Sequence, residues 1–270
     1  MKKFLLLVLS TCFWGVCIGE DYAPIVAGNG ELNAVSGHIQ GICASDDALY
    51  IAHQKGIFKA NWEGKVIKHV EAENHTGDIC FYKGKIYSAI ACYDRERRGK
   101  GAIQEYSSDL EVLRRYELPF PIDGISVLND HFYFGVGPNP PKSHRGNRLG
   151  KLAADFSGKI EFLKIDHGYP TRFGTQAITT CRNLLFVSFY GAKTPMETAV
   201  FDGDGKLVDV LNFNANFGFE ALPERFKSDR FRFLKLINLY SRRKKETPKI
   251  RLDFFEYHPG KMINLSGNAD

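Results

Sequence analysis

His75-Thr76-Gly77-Asp78-Ile79 is followed by a short apolar run, the turn Lys83-Gly84 and a second apolar run. The phrase returns as His38-Ile39-Gln40-Gly41-Ile42, Pro121-Ile122-Asp123-Gly124-Ile125, Gly174-Thr175-Gln176-Ala177-Ile178 and Gly218-Phe219-Glu220-Ala221-Leu222. With the last residue of each as anchor, the steps are 37, 46, 53 and 44 residues. That period is expected of one four-stranded propeller blade. Four residues past the anchor stand the turns Asp46-Asp47, Lys83-Gly84, Asn129-Asp130 and Arg182-Asn183. Asx and Gly supply the positive φ of tight hairpins. Seven residues past it, Leu49, Ile86, Phe132 and Leu185 open the next strand. The fifth copy keeps its anchor and lengthens its turn before Phe231. These offsets predict an all-β chain folded as a five-bladed β-propeller with four-stranded blades.

The blades read Gln40 to Glu71, Gly77 to Leu118, Asp123 to Asp166, Gln176 to Asn214, and Glu220 to the turn at Pro259-Gly260. Aromatic, alternating runs such as Phe132-Tyr133-Phe134 suit strands. Blade five has two candidates for its outermost strand: the N-terminal Pro24 to Ala27, which would close the ring, or Met262 to Leu265.

Residues 1–19 read as a secretory signal: Lys2 and Lys3, an apolar run from Phe4 to Leu9, and a small-residue site at Cys17-Ile18-Gly19. Trp14-Gly15-Val16 before Cys17 makes a poor acylation box, and no later stretch is apolar for long enough to cross a bilayer. Residues 20–270 are then one propeller domain, secreted or periplasmic, and expected to be a monomer. Cys43, Cys80, Cys92 and Cys181 remain. An oxidising compartment permits disulfides. The repeated places of Cys43, Cys80 and Cys181 favour buried fillers instead.

The formal net charge of +5 is unevenly spread. Eleven basic and two acidic residues between Arg225 and Arg251 give +9 there, which leaves the rest of the mature chain near −6. Such a stretch reads as a solvated hairpin, and no nucleic-acid partner is expected of a secreted chain.

In an up-and-down blade the constant turns lie on one face of the disc. The middle loops and the lead-ins to the inner strands lie on the other. Variable loops on a rigid scaffold usually carry function. The axial mouth on that face is expected to gather His38, Gln40, His75, Asp78, Asp123, Gln176 and Glu220. Around it the middle loops bring Arg95, Arg97, Arg98, Lys142, His144, Arg145, Arg148, Lys193 and Arg242 to Lys245. A basic rim gathers anions, and arginine forks favour carboxylate, sulfate or phosphate. Tyr93, Tyr190 and Trp62 offer flat faces for sugar rings, against core filling as the plainer role.

Three chemistries fit that centre. His75 as general base with Glu220 or Asp123 would run a proton-transfer cycle. His38, His75 and Glu220 would hold a divalent metal, with Gln40 and Gln176 behind them. Or the groups cap strand ends and bind ordered water. Asp78, between Gly77 and Ile79, is placed to bond to the neighbouring blade. Asn74-His75-Thr76 and Asn264-Leu265-Ser266 match the glycan acceptor pattern, while serine elbows, phosphate loops and paired-cysteine motifs do not occur.

At Gln40-Gly41-Ile42, Leu49-Tyr50, Gly64-Lys65-Val66 and Gly84-Lys85-Ile86-Tyr87 the chain resembles glutaminyl cyclotransferases of the five-bladed propeller type. Those proteins repeat a Gln-Gly-Leu lead-in, an apolar-Tyr strand and a Gly-Lys-Val hairpin. The likeness covers roughly the first two blades and implies the fold. Gln40 alone carries over as a pocket residue. The family's Glu before Gly-Leu in blade two is Gly77-Asp78 here, and its Trp-rich pocket wall has no counterpart. The expectation from the residues is an axial pocket for a small anionic ligand, such as an acidic carbohydrate. It would act as a lyase or hydrolase, or bind without catalysis. The resemblance adds peptide modification as a further alternative.

Overall fold

The computed structural model describes residues 25–27, 39–72, 75–92, 96, 99–136, 147–166, 171, 174–190, 198–226, 231–238 and 250–266. After β1 (Ile25–Ala27), blade one holds β2 (Ile39–Ala44), β3 (Leu49–His53), β4 (Gly56–Ala60) and β5 (Val66–Glu71). Blade two holds β6 (Thr76–Tyr82), β7 (Lys85–Ala91), β8 (Gly101–Ser107) and β9 (Val112–Leu118). Blade three holds β10 (Ile122–Leu128), β11 (His131–Val136), β12 (Asn147–Ala153) and β13 (Glu161–Ile165). Blade four holds β14 (Gly174–Cys181), β15 (Leu184–Tyr190), β16 (Thr198–Asp202) and β17 (Leu207–Leu211). Blade five holds β18 (Phe219–Ala221), β19 (Arg232–Asn238), β20 (Ile250–His258) and β21 (Lys261–Asn264), with a 3-10 turn at Glu224–Phe226.

Each of the first four sheets runs in chain order from hub to rim, and every ladder is antiparallel. The chain is therefore an all-β five-bladed propeller. The hairpins behave as their turn residues require: Lys83, Asn129, Asp130 and Arg182 all have positive φ. Blade five uses both candidates for its outer strand. Residues 25–27 pair with the first half of β20, through Ile25 opposite Leu252. Lys261–Asn264 pairs with the second half, through Asn264 opposite Phe255.

The cores lie between blades rather than within them, because each sheet has two faces to bury. Ile51 and Phe58 of blade one pack with Leu234, Leu236, Ile250 and Leu252 of blade five, and this closes the ring. Tyr50 and Ile57 meet Ile86 and Tyr106 of blade two, and Tyr87 and Ile103 meet Phe132 and Leu152 of blade three. The inner strands of blades one to four share a β-bulge at the same place, between Ile39 and Gly41, Thr76 and Ile79, Ile122 and Ile125, and Thr175 and Ala177. A bulge re-aims the side chains beside it. Here those are the polar residues of the repeated phrase.

Candidate functional site

Glycine contacts fix the level of each inner strand on the axis. A Cβ on Gly41 would fall 2.6 Å from Asp78 Cα and 3.0 Å from Ile79 N. One on Gly124 would fall 3.0 Å from Ala177 C and 3.1 Å from Ile178 N. One on Gly218 would fall 2.8 Å from both Gly41 Cα and Ile42 N. Gly41, Asp78, Gly124, Ala177 and Gly218 thus form one ring, in which Gly41, Gly124 and Gly218 each lie against the backbone of the next blade. This corrects the phase of the fifth phrase. Its anchor is the buried Phe219, three residues before Leu222. β18 begins only at this anchor, with Phe219 opposite Lys235.

Asp78 alone in this ring carries a long side chain, and it is 1 % exposed. Its Oδ2 accepts from Ile125 N at 3.3 Å and Ile178 N at 2.9 Å, so it ties blade two to blades three and four. Its Oδ1 has no hydrogen-bond partner. Burial pushes this carboxyl well above its ordinary range, against the opposing pull of the two amide bonds. Asp78 is a plug across the axis, its carboxyl biased by burial toward the neutral form.

Gln40, Gly77, Asp123 and Gln176 stand one position earlier and form the floor of the mouth. Gln176 Nε2 donates to Gln40 Oε1 at 3.1 Å, a bond between blades one and four, which are not neighbours in the ring. Asp123 is 7 % exposed, and its Oδ1 is buried without a partner. Gly77 of the neighbouring inner strand lies beside it: a Cβ there would stand in ordinary contact, 3.7 Å from Asp123 Oδ1. Burial raises the Asp123 carboxyl to about 7.

Glu220 is on the other side of the plug. With Phe219 as anchor it falls level with Cys43, Cys80, Ser126 and Thr179 rather than with Gln40, Asp123 and Gln176. Thr179 Oγ1 donates to Glu220 Oε2 at 2.7 Å and accepts from Ala221 N at 3.1 Å. Glu220 also raises the thiols of Cys43 and Cys80, which burial has already pushed up. Although Glu220 keeps a half-buried surface, burial raises its carboxyl to about 8 and the Thr179 bond offsets part of that. The expected grouping of Glu220 with the mouth is therefore corrected. Thr179 is a partner the repeat pattern gave no reason to single out, and only the corrected phase reveals it.

His75 precedes β6 with φ 71°, an uncommon conformation for a residue with a side chain. Its N–H donates to Gln54 O at 2.7 Å and its carbonyl accepts from Ala91 N at 3.3 Å. Tyr190 ends β15 opposite Gly174 and is 43 % exposed on the mouth face. Arg148, near the start of β12, lies over the Phe162 ring at 5.3 Å. His38, Arg95 and Arg145 lie outside the described residues, as do Tyr93, Arg97, Arg98, Lys142, His144, Lys193 and Arg242 to Lys245. Trp62 is not a sugar platform of the mouth. It stands in the β4–β5 turn on the opposite face, where its ring packs 4.7 Å from Phe226 under the Arg225 guanidinium at 4.3 Å.

Cys43, Cys80, Cys92 and Cys181 are unbridged, and the first three are buried. Among the described residues no group of three or more His, Cys, Asp or Glu converges as a metal cage. No helix of the described residues is long and apolar enough to cross a membrane.

No protein-family model matches the chain, and no curated protein does. Among solved structures, glutaminyl cyclase from Myxococcus xanthus aligns with a TM-score of 0.60 at 10% identity, over 87% of this chain and 95% of that one. A gluconolactonase from Xanthomonas campestris gives 0.53 at 12% over 86% and 77%. A GH43_1 enzyme from Xanthomonas citri gives 0.53 at 13% over 86% and 92%. At such identities the likeness is one of fold, and at that level the resemblance to the cyclotransferase propellers holds.

Proposed function

We propose that the mouth of this propeller binds a small polar ligand at its axis, with Asp123 moving a proton to or from it. The observation that carries this reading is the Asp123 carboxyl, buried on the floor of the mouth with one oxygen unpartnered. A buried polar oxygen without a partner is costly unless something meets it. A carboxyl raised to about 7 is half protonated near neutral pH, where a general acid or base works best. Gln40 and Gln176 offer amide donors and acceptors to ligand hydroxyls beside it. The many Lys and Arg of the middle-loop sequences favour a ligand with an acid group, so an acidic carbohydrate is the class proposed. His75, on the lead-in to β6, is the proposed base, and Tyr190 a flat contact at the rim. The signal-like residues 1–19 support export of a 20–270 domain.

With Asp78 closing the axis between them, Asp123 and Glu220 cannot work as a carboxylate pair in one site. Hydrolysis by two carboxylates needs both flanking one bond. A single acid suits elimination by a lyase, or binding without turnover. The Myxococcus xanthus structure is that of a glutaminyl cyclase. Peptide modification at Gln40 is therefore the alternative that the same assays address.

The test pairs Asp123→Asn with Gln176→Ala on a panel of uronate oligosaccharides. Calorimetry follows binding, and absorbance of an unsaturated product follows elimination. Asp123→Asn is expected to lower turnover by about a hundredfold or more with binding kept. Gln176→Ala is expected to weaken binding. Full turnover in Asp123→Asn would sink the proton-transfer role, and binding without turnover in the parent would make the propeller a binding module.

A further inference from the structure

Outside the axis, two imidazoles face one another in blade one. His53, the last residue of β3, is 1 % exposed, and His69 lies across the sheet on β5. Their Nε2 atoms are 3.2 Å apart. His53 Nδ1 accepts from Lys55 N at 3.2 Å. A neutral imidazole has one N–H. With Nδ1 accepting, the proton is on His53 Nε2, which donates to His69 Nε2. The proton of His69 is then on its own Nδ1. A metal ion between the two Nε2 atoms would need the His53 proton removed while Nδ1 still faces an amide N–H, so the arrangement is a hydrogen-bonded pair of neutral rings.

The fold makes room for it. Phe58 stacks on His69 at 4.3 Å and lies 5.0 Å from His53. A Cβ on Gly56 would fall 2.6 Å from both Nε2 atoms. The blade-five strands over this face present Leu236, Ile250 and Leu252. The charged groups nearby are Lys55 on the turn and Glu71 on β5.

The turn that His53 braces also holds the lead-in to blade two. Gln54 O accepts from His75 N at 2.7 Å, and Lys55 O accepts from Ala72 N at 2.8 Å. Both ends of the link between blades one and two are fastened to this turn, and β6, which follows, carries Gly77 and Asp78.

The geometry points to an acid-released clasp: protonation of the His53–His69 pair frees the Gln54-Lys55 turn and, with it, the placement of His75. Charging His69 sets two N–H groups against each other, and charging His53 sets Nδ1–H against Lys55 N–H. Burial, then the neighbouring His69, lowers His53 to about 4. His69 is exposed, and its partly covered ring is lowered by burial with Glu71 opposing. Depressed folded values mean that the clasp is complete above the ordinary histidine range, near 6.5. It is lost as pH falls through the folded value. The inference rests on the proposed site only in making His75 matter. It is read on the ligand-free chain, so failure of the ligand assays leaves it standing.

The experiment is amide exchange of Ala72 and His75 in the whole chain at pH 7 and pH 5, corrected for intrinsic chemistry. Protection is expected to drop about twentyfold for one proton taken up on opening. His53→Asn, whose amide oxygen still accepts Lys55 N–H but cannot be charged, is expected to keep the drop below about threefold at one-proton linkage. An imidazole titration of the unmodified chain by NMR serves even if that variant misfolds, and both rings are expected to titrate below the ordinary range. Unchanged protection in the unmodified chain, a wild-type drop in His53→Asn, or ordinary titration of His53 would overturn the clasp. So would stoichiometric zinc binding that abolishes the titration, because the pair would then be a metal site.

Discussion

The two sides of Asp78 hold one raised carboxyl each and treat it differently. Above, Asp123 keeps an oxygen buried and unpartnered. Below, Glu220 is bonded to Thr179, which is itself tied to the backbone of blade five. Burial raises both acids, but Asp123 Oδ1 is buried without a partner, whereas Glu220 is half-buried and bonded through Oε2. A raised carboxyl therefore marks depth, and Asp78 shows that an unpartnered oxygen alone does not mark a site; what sets Asp123 apart is an unpartnered oxygen on the mouth side of that plug.

The contrast depends on the closed ring between the two sides, and the largest effect comes from forcing that ring open. Gly41→Ala drives a methyl against the Asp78 backbone and is expected to cost roughly 3 kcal/mol or more by overpacking. Gly84→Ala has open space around it and strains only its positive φ, so about 1 kcal/mol is expected. Chemical denaturation of both variants measures the difference, and equal losses would mean that the hub is not tight.

Next is the plug itself. Asp78→Ala leaves the N–H groups of Ile125 and Ile178 buried without an acceptor, at a cost of about 1–3 kcal/mol. Asp78→Asn keeps an acceptor oxygen and replaces a carboxyl that burial biases toward its neutral form, so about 1 kcal/mol or less is expected. An Asp78→Asn variant as unstable as Asp78→Ala would show that the charged form occupies the axis.

The pH response sharpens the comparison further. Folded carboxyls raised above their unfolded values contribute stability that is complete below the unfolded range and lost as pH rises through the folded values. For Asp123 and Glu220 the loss runs from the ordinary carboxylate range and is complete by about pH 7 and 8. Thermal melts are expected to weaken between about pH 4 and 8, and Asp123→Asn and Glu220→Gln each to flatten part of that slope. A small effect is also expected of Thr179→Val: about 1 kcal/mol, with a further rise in the Glu220 carboxyl. No shift of that carboxyl would detach Glu220 from its brace.

Blades one to four were legible because two constraints repeat in them. Tight turns need Asx or Gly at fixed offsets, and the hub needs a small residue before a β-branched anchor. Blade five keeps the small residue, Gly218, but its anchor is the aromatic Phe219 rather than a β-branched residue. Glu220-Ala221-Leu222 imitates Gln176-Ala177-Ile178, while Gly218, which touches Gly41 and Ile42, holds the true position. Composition cannot separate the two, since Ala and Gly both look small in a sequence. Only the contact with the next blade requires glycine, and φ of 112° at Gly218 points the same way. Asp78 was read as a bond to the neighbouring blade, and it reaches the one beyond as well. The His53–His69 pair was not legible. The two residues are sixteen apart, and only the β3–β4–β5 register brings their rings together.

The shared partner of residues 25–27 and Lys261–Asn264 has a consequence for assembly. As the chain emerges from the ribosome, its earliest strand must stay unzipped until β20 has been made, because Ile25 has Leu252 as its mate. Closing so long a loop is slow and comes late. The circle should thus be latched last at blade five, and part there first under heat or pulling force.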